Sequence, residues 1–226
     1  MFFQPDIPAG ISVLNADESR HCIRVLRKRE GDSIRITDGH GKFYDAVITK
    51  ANPSACEFRI TGEEEAGWRT GVHIAISPTK NADRIEWFVE KVVEIGVDRI
   101  TLMRCDHSER TVIKTDRLRK VAISAMKQSV KAILPEISEL VPFSAVVKDS
   151  TAGGRFIAYV DPGHTLHLKD ALTPDVDCCI LIGPEGDFSP TEINLAREHG
   201  FRPVSLGPSR LRTETAGVVA CVIANL

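Results

Sequence analysis

LIGPEGDFSP, residues 181–190, reads as an apolar strand that ends in a glycine-rich loop and opens a helix. The helix start is marked three times over: Ser189 as N-cap, Pro190 at the first helical position and Glu192 closing a capping box. Strand, loop and helix N-terminus together predict a ligand cradle. Charge narrows what it could hold. A phosphate-binding loop presents bare amides with a Lys or Arg, whereas this loop carries Glu185 and Asp187, which repel phosphate. A neutral or cationic ligand, such as an adenosine bearing a sulfonium, is compatible with it. Taken alone, the loop fits an ordinary strand-to-helix turn equally well.

Working outward, strands and helices alternate from Val72 onward. VHIAIS reads as a strand and Asp83 to Ile95 as a helix stopped by Gly96; RITLM follows, then a helix from about Asp116 to Val130. FIAYV and CCILI are further strands, and after the helix that ends near His199 come PVSL and a last helix from about Glu214. This rhythm predicts an α/β layer with a largely parallel sheet. LGPSRLRTETA, residues 206–216, follows the strand after CCILI, so the two loops emerge at the same sheet edge, where ligands bind in open α/β folds. Neither a G-x-G-x-x-G after the first strand nor a Walker sequence is present.

The first 61 residues have a different rhythm. Asp32 to Asp38, Lys42 to Thr49 and Cys56 to Thr61 are short strand-like segments separated by GHG and NPS turns, which predicts a compact β-barrel or sandwich. In the helix expected before them, Cys22, Val25 and Leu26 would form an apolar stripe. Arg20, Arg24, Arg27, Lys28 and Arg29 would face outward as a phosphate-binding surface, or simply as a solvated face. Apolar patterning stops at GEEEAGWRTG, residues 62–71, where the junction is expected. The reading is therefore a β-rich domain over residues 1–68 and an α/β domain over 72–226.

Whole-chain composition sets limits. At 226 residues and 42% hydrophobic, the chain can bury a sizeable core. A net charge of −2 and a pI near 6.4 exclude a generally basic coat, so any nucleic-acid contact must come from local patches. Six cysteines without a C-x-x-C pair and without a secretory pattern point to a reduced, cytoplasmic protein. No apolar run has the length of a membrane span. Asp161, His164 and His167 lie close together but lack a fourth ligand, so no metal is expected.

LIGPEG and LGPSRLRTETA together resemble the two cofactor loops of the SPOUT methyltransferases. The resemblance covers most of the chain. HCIRVLRKREGD (21–32), RIEWFVEKVVEIGV (84–97), SERTVIK (108–114) and KQSVKAILPEI (127–137) follow in the order found in one branch, the RsmE-type 16S rRNA (uracil-N3)-methyltransferases. It implies a PUA-like N-terminal RNA-binding β-barrel, a SPOUT α/β domain with a C-terminal trefoil knot, a homodimer, and S-adenosyl-L-methionine as cofactor. It also implies 16S rRNA of the small ribosomal subunit as partner. Cofactor contacts would come from Leu181, Ile182, Gly183, Glu185, Gly186, Leu206, Gly207, Leu211, Arg212 and Thr213, bordered by Asp161 and Pro162. This chain departs from many relatives in having Asp187 where they have a second glycine, which leaves the loop backbone less free.

Methylating uracil at N3 requires loss of the imide proton, so the expected catalytic groups are a cation for the imide anion, Arg110 or Arg212, and Glu109 as orienting or proton-accepting group. A paired N3 is hidden, so the uridine must be unpaired or turned out. The surrounding RNA would be gripped by the basic run at 20–29 together with Lys114, Lys127 and Lys131. A non-catalytic ribosome-assembly factor, or an enzyme acting on another RNA, remains open at this point.

Overall fold

The computed structural model describes residues 1–66, 69–160, 163 and 166–226. Contacts divide the chain into two compact units, Met1–Trp68 with Ile123–Leu134, and Arg69–Ala122 with Pro135–Leu226.

In the first unit, β1 (Phe2–Phe3), β2 (Ser33–Thr37), β3 (Lys42–Lys50) and β4 (Glu57–Glu65) form one sheet in that order. β1 pairs with β2 in parallel, and β2, β3 and β4 are antiparallel. The GHG turn between β2 and β3 needs its glycines: Gly39 and Gly41 have φ of 79° and 113°, open to glycine and strained for other residues. Alternation along β2 and β3 buries Ile34, Ile36, Tyr44, Ala46 and Ile48 against Phe2, Leu14, Cys22 and Phe58. β4 runs past Thr61, the expected end of this strand, into the acidic stretch where the junction is expected. On this edge strand the acids meet cations, Lys42 Nζ lying 3.6 Å from Glu63 and 3.0 Å from Glu65, with Arg35 on Glu64 at 2.5 Å.

The stretch before β2 departs from a simple amphipathic helix. α1 (Ala16–Arg20), capped by the Asn15 side chain on the Glu18 N–H, continues into a π-helical turn at His21–Val25. The wider turn carries Cys22 into the core but leaves Val25 and Leu26 exposed, so the expected apolar stripe is broken after one residue. Residues 123–134, which patterning leaves in the α/β region, pack with this unit. Gly41 N–H donates to the Ala132 carbonyl at 2.9 Å, and Leu134 N–H to the Gly39 carbonyl at 2.9 Å.

The second unit is an α/β layer. β5 (Val72–Ile76), β6 (Arg99–Arg104), β7 (Glu136–Ile137), β9 (Gly154–Ala158), β10 (Cys178–Ile182) and β11 (Arg202–Val204) are ordered β11-β9-β10-β5-β6-β7, and β8 (Val141–Pro142) also pairs with β6. Every pairing is parallel, so the loops after β5, β6, β9, β10 and β11 lie along one edge. β10 is central and buried at every position, which is why CCILI lacks alternation. Helices α2 (Ala82–Ile95), α4 (Phe143–Asp149), α5 (Leu168–Ala171), α6 (Pro190–Glu198) and α7 (Thr213–Ala224) complete it, with the first part of α3 (Thr115–Gln128), whose residues from Ile123 on belong to the first unit. α2 starts at Asn81, whose side chain accepts the Asp83 N–H, and buries Ile85, Phe88, Val89, Val92 and Val93.

α7 packs on α2 and β5 through a glycine. A Cβ at Gly217 would lie 2.5 Å from Phe88 and 3.1 Å from Ile76. Gly217→Ala is therefore expected to lower stability by about 1–2 kcal/mol despite alanine's better helix propensity, read as a shift in denaturant midpoint.

All six cysteines are buried as thiols. Burial also holds His73 on β5 neutral, bringing its pKa down to about 4, with Arg99 adding to the effect; its Nε2 lies 2.8 Å from the Thr101 hydroxyl. An unfolded chain takes up this proton near pH 6.5 and the native one does not. The stability is thus complete above pH 6.5 and drains as the pH falls toward 4. Denaturant titrations should show roughly 1–2 kcal/mol lost through this residue between pH 6.5 and pH 5, with a flatter profile for His73→Asn.

Candidate active site

The edge at which the parallel strands end holds a cavity of about 800 Å³. Its walls come from the ends of β9 and β10, from the stretch after β11 and from the first turn of α2. That volume suits a ligand the size of a nucleoside with an amino-acid tail.

Local sequence chemistry builds each wall. After β10, Gly183 leaves room for the Phe188 ring, which would lie 3.1 Å from an added Cβ. The chain then turns at Pro184, whose carbonyl accepts the Asp187 N–H at 3.0 Å. α6 begins with the full capping box: Ser189 Oγ accepts the Glu192 N–H, and Glu192 Oε2 accepts the Ser189 N–H at 2.9 Å. Its other oxygen accepts the Asp106 N–H at 3.0 Å, and Ser189 Oγ donates to Asp106 Oδ2 at 2.5 Å. The helix start is thereby fastened to the loop after β6. On the opposite wall Gly207, at φ 118°, takes a conformation that favours glycine, its N–H bound to Ser205 Oγ at 3.1 Å. Arg212 stands at the N-cap of α7 and lines the cavity; its guanidinium, having no acceptor, makes no capping bond.

Of the residues expected at a cofactor site, Ile182, Gly183, Glu185, Leu206, Gly207, Leu211, Arg212 and Thr213 line this one cavity. Leu181 is fully buried within β10, and Gly186 backs onto His107; neither lines the cavity. Asp161 and Pro162, with His164 of the possible metal loop, lie outside the described residues. Among the described residues no cluster of three metal-ligating side chains occurs, and His167 Nδ1 accepts the Lys169 N–H at the start of α5.

Glu109 and Arg110 stand next to the cavity without lining it. Arg110 donates through Nε to the Thr79 carbonyl at 3.0 Å and also to the Lys80 carbonyl, while Glu109 lies 2.8 Å from Lys80 Nζ and raises the pKa of that lysine. Lys80 N–H in turn donates to Glu185 at 3.2 Å. Both residues thus hold the loop that holds Glu185.

Arg84 is a cavity residue that sequence reading missed. Its Nε lies 3.7 Å from Glu214, a carboxylate buried at the start of α7 whose Oε2 has no hydrogen-bond partner among the described residues. Only the position of Arg84 in the first turn of a helix that follows a strand end could have signalled it.

The basic residues divide by unit. Arg20, Arg24, Arg27 and Arg29 are exposed on the first unit, and Lys28 donates to the Ser33 carbonyl at 3.2 Å. Lys127 belongs to the same unit but is half-buried against Glu18, 2.5 Å from Oε1, and Lys131 is half-buried too. Lys114 is exposed on the second unit.

Residues 67–225 match the RNA methyltransferase domain family, which is more than half of the chain. The chain belongs to that family. Residues 14–61 of this methyltransferase match the RNA methyltransferase PUA domain, so an α/β methyltransferase fold follows a PUA-like N-terminal domain. The crystal structure of a probable rRNA-methyltransferase from Porphyromonas gingivalis is 50% identical, with a TM-score of 0.91 over 97% of this chain and 94% of that one. A ribosomal RNA small subunit methyltransferase E from Neisseria gonorrhoeae, bound to S-adenosyl methionine, is 27% identical with a TM-score of 0.84, covering 97% and 94%. The methyltransferase is also 28% identical, over 97% of its length and 90% of the relative's, to ribosomal RNA small subunit methyltransferase E of Buchnera aphidicola. Among the described residues no helix is long and apolar enough to cross a membrane.

Proposed function

We propose that the protein transfers the methyl group of S-adenosyl-L-methionine to N3 of a uridine in 16S rRNA of the small ribosomal subunit, acting as a cytoplasmic homodimer. The observation that carries this reading is the meeting of both glycine-bearing loops at one cavity on the carboxyl edge of the sheet. The cavity chemistry fits the cofactor. Glu185 and Asp187 on one wall suit a sulfonium and an ammonium, and Arg84 and Arg212 on the other suit a carboxylate or a developing anion. Gly183, Glu185, Leu206, Gly207, Leu211 and Thr213 would hold it, with Ile182 beneath and Leu181, Gly186, Asp161 and Pro162 at its border. When bound, it supplies an electrophilic methyl group on a positively charged sulfur.

The protein's own task is positioning, water exclusion and charge. Arg212 is assigned to the imide anion of the uracil, because it is a fixed cation with a fork of N–H donors among the residues that line the cavity. Arg110 and Glu109 act one step back, fixing the Thr79–Lys80 loop and through it Glu185, with Glu109 as the orienting group for a water that would accept the proton leaving N3. The fold reading extends to a SPOUT trefoil knot. It is supported by α7, which packs on β5 and β10 after the edge strand β11, while Ser205 is bonded in both directions to Leu166 and Leu168.

Residues 1–68, which make up most of the first unit, serve as a small β-barrel that binds RNA, with 72–226 as the methyltransferase domain. Arg20, Arg24, Arg27, Lys28 and Arg29 supply phosphate contacts, and further contacts are assigned to Lys127 and Lys131 and, on the second unit, to Lys114. Arg24→Glu with Arg27→Glu should weaken RNA binding uniformly across sequences and reduce the slope of log affinity against log salt by about 2. Transfer of label from S-adenosylmethionine to isolated small ribosomal subunits, with tRNA as the competing acceptor, tests the function. Label in the subunit RNA is expected. Label confined to tRNA, or in neither, contradicts it.

A further inference from the structure

Asp187 is a non-glycine residue held at φ 62°, in the left-handed region, on the wall of the cavity. A side chain in that conformation is strained, and strain of this kind persists only where neighbouring contacts fix it. Three hydrogen bonds do so here. Asp187 Oδ1 accepts the Phe188 N–H at 2.8 Å, which braces the residue against the start of α6. Oδ2 accepts the Val160 N–H at 3.1 Å, reaching the loop that follows β9. The backbone carbonyl accepts from His107 Nδ1 at 2.9 Å, reaching the loop that follows β6; a carbonyl can only accept, so Nδ1 carries the proton. Gly186 brings the two chains close enough for this, since a Cβ there would lie 3.0 Å from His107 Cβ.

We propose that Asp187 is a positioning residue of the cofactor cavity, tying the loops after β6, β9 and β10 into one wall and holding Val160 in place over the ligand. The inference rests on the cavity being the S-adenosylmethionine site. Both wall segments that it joins, Tyr159–Val160 and Gly183–Glu185, line the cavity, so the tether sets the distance between them. A carboxylate is suited to the task because its two oxygens accept two backbone N–H groups at once, and a charged acceptor makes each bond stronger. Glycine would accept the same backbone conformation without strain and make neither bond. Asparagine would tolerate the conformation and keep one acceptor, without the charge.

That difference separates the tether from the backbone requirement. In the ligand-free protein, amide exchange at Val160 should speed up by about tenfold in Asp187→Gly and by less in Asp187→Asn, while the unfolding midpoint stays near wild type. Titration calorimetry should show S-adenosylmethionine bound about tenfold more weakly by Asp187→Gly, with Asp187→Asn in between. Exchange at Val160 within twofold of wild type in Asp187→Gly would overturn the tether. A lowered unfolding midpoint with unchanged cofactor affinity would overturn the positioning role and leave a structural one. A wild-type protein that fails to bind S-adenosylmethionine would overturn the functional reading and the positioning role with it, and the exchange measurement, made without ligand, tells that failure apart from failure of the tether.

Discussion

Arg212→Ala is expected to lower kcat by about 10²- to 10³-fold, the loss typical of removing one donor to a developing anion. S-adenosylmethionine affinity should stay within about threefold, because the backbone at Arg212 is retained and only the anion-facing side chain is lost. Stability should hardly move. Arg212 precedes α7 without making a side-chain capping bond, so alanine removes no cap. Arg212→Lys keeps the charge but not the fork of donors, and should recover only part of the rate. Single-turnover kinetics with saturating cofactor, set beside calorimetric binding, measure both quantities. Near-normal turnover in Arg212→Ala would transfer the role to Arg110, which gives one N–H each to the carbonyls of Thr79 and Lys80 and has further donors on the same guanidinium.

The second large effect is expected at Glu192. Its buried carboxylate accepts the N–H of Ser189 with one oxygen and the N–H of Asp106 with the other, closing the α6 cap and joining it to the loop after β6. Glu192→Ala leaves two backbone donors without their acceptor. A cost of about 2–4 kcal/mol follows, which for a chain of this size is a Tm drop of roughly 5–15 °C. Glu192→Gln can still accept one of the two N–H groups and should fall between. Because the cap sits directly after the glycine loop, cofactor affinity should weaken along with stability in the alanine variant. A Tm within about 2 °C of wild type would mean that the cap is dispensable.

What could be read in advance was what local chemistry decides. Ser189, Pro190 and Glu192 specify the start of α6 within four residues, and the structure shows that capping box complete. The parallel sheet followed from strand and helix rhythm in the same way. α4 escaped notice because it begins after Pro142 with no side-chain cap and is only seven residues long. Exposed Val25 and Leu26 contradict helical patterning because the chain widens into a π-turn there, a choice fixed by the core's need for Cys22 and not by propensity. Lys127 looked like a phosphate ligand because its partner, Glu18, lies 109 positions away.

The site divides along the same line. Ile182, Gly183, Glu185 and the stretch from Leu206 to Thr213 could be named because each follows a strand and shares one sheet edge. Arg84 could not be, since its place depends on α7 returning to α2 and burying Glu214 beside it. Asp187 looked like a departure from a glycine position. Its backbone takes a left-handed conformation that glycine adopts freely, and its carboxylate bridges two loops.

The most direct test of the central claim is the identity of the product. The protein is incubated with methyl-labelled S-adenosylmethionine and small ribosomal subunits lacking the modification, the 16S rRNA is digested to nucleosides, and the labelled nucleoside is identified by chromatography and mass spectrometry. Label migrating as 3-methyluridine is predicted, with none when Arg212→Ala replaces the wild type over the same time. Label in any other nucleoside, or none in 16S rRNA from a preparation that binds the cofactor, would contradict the account.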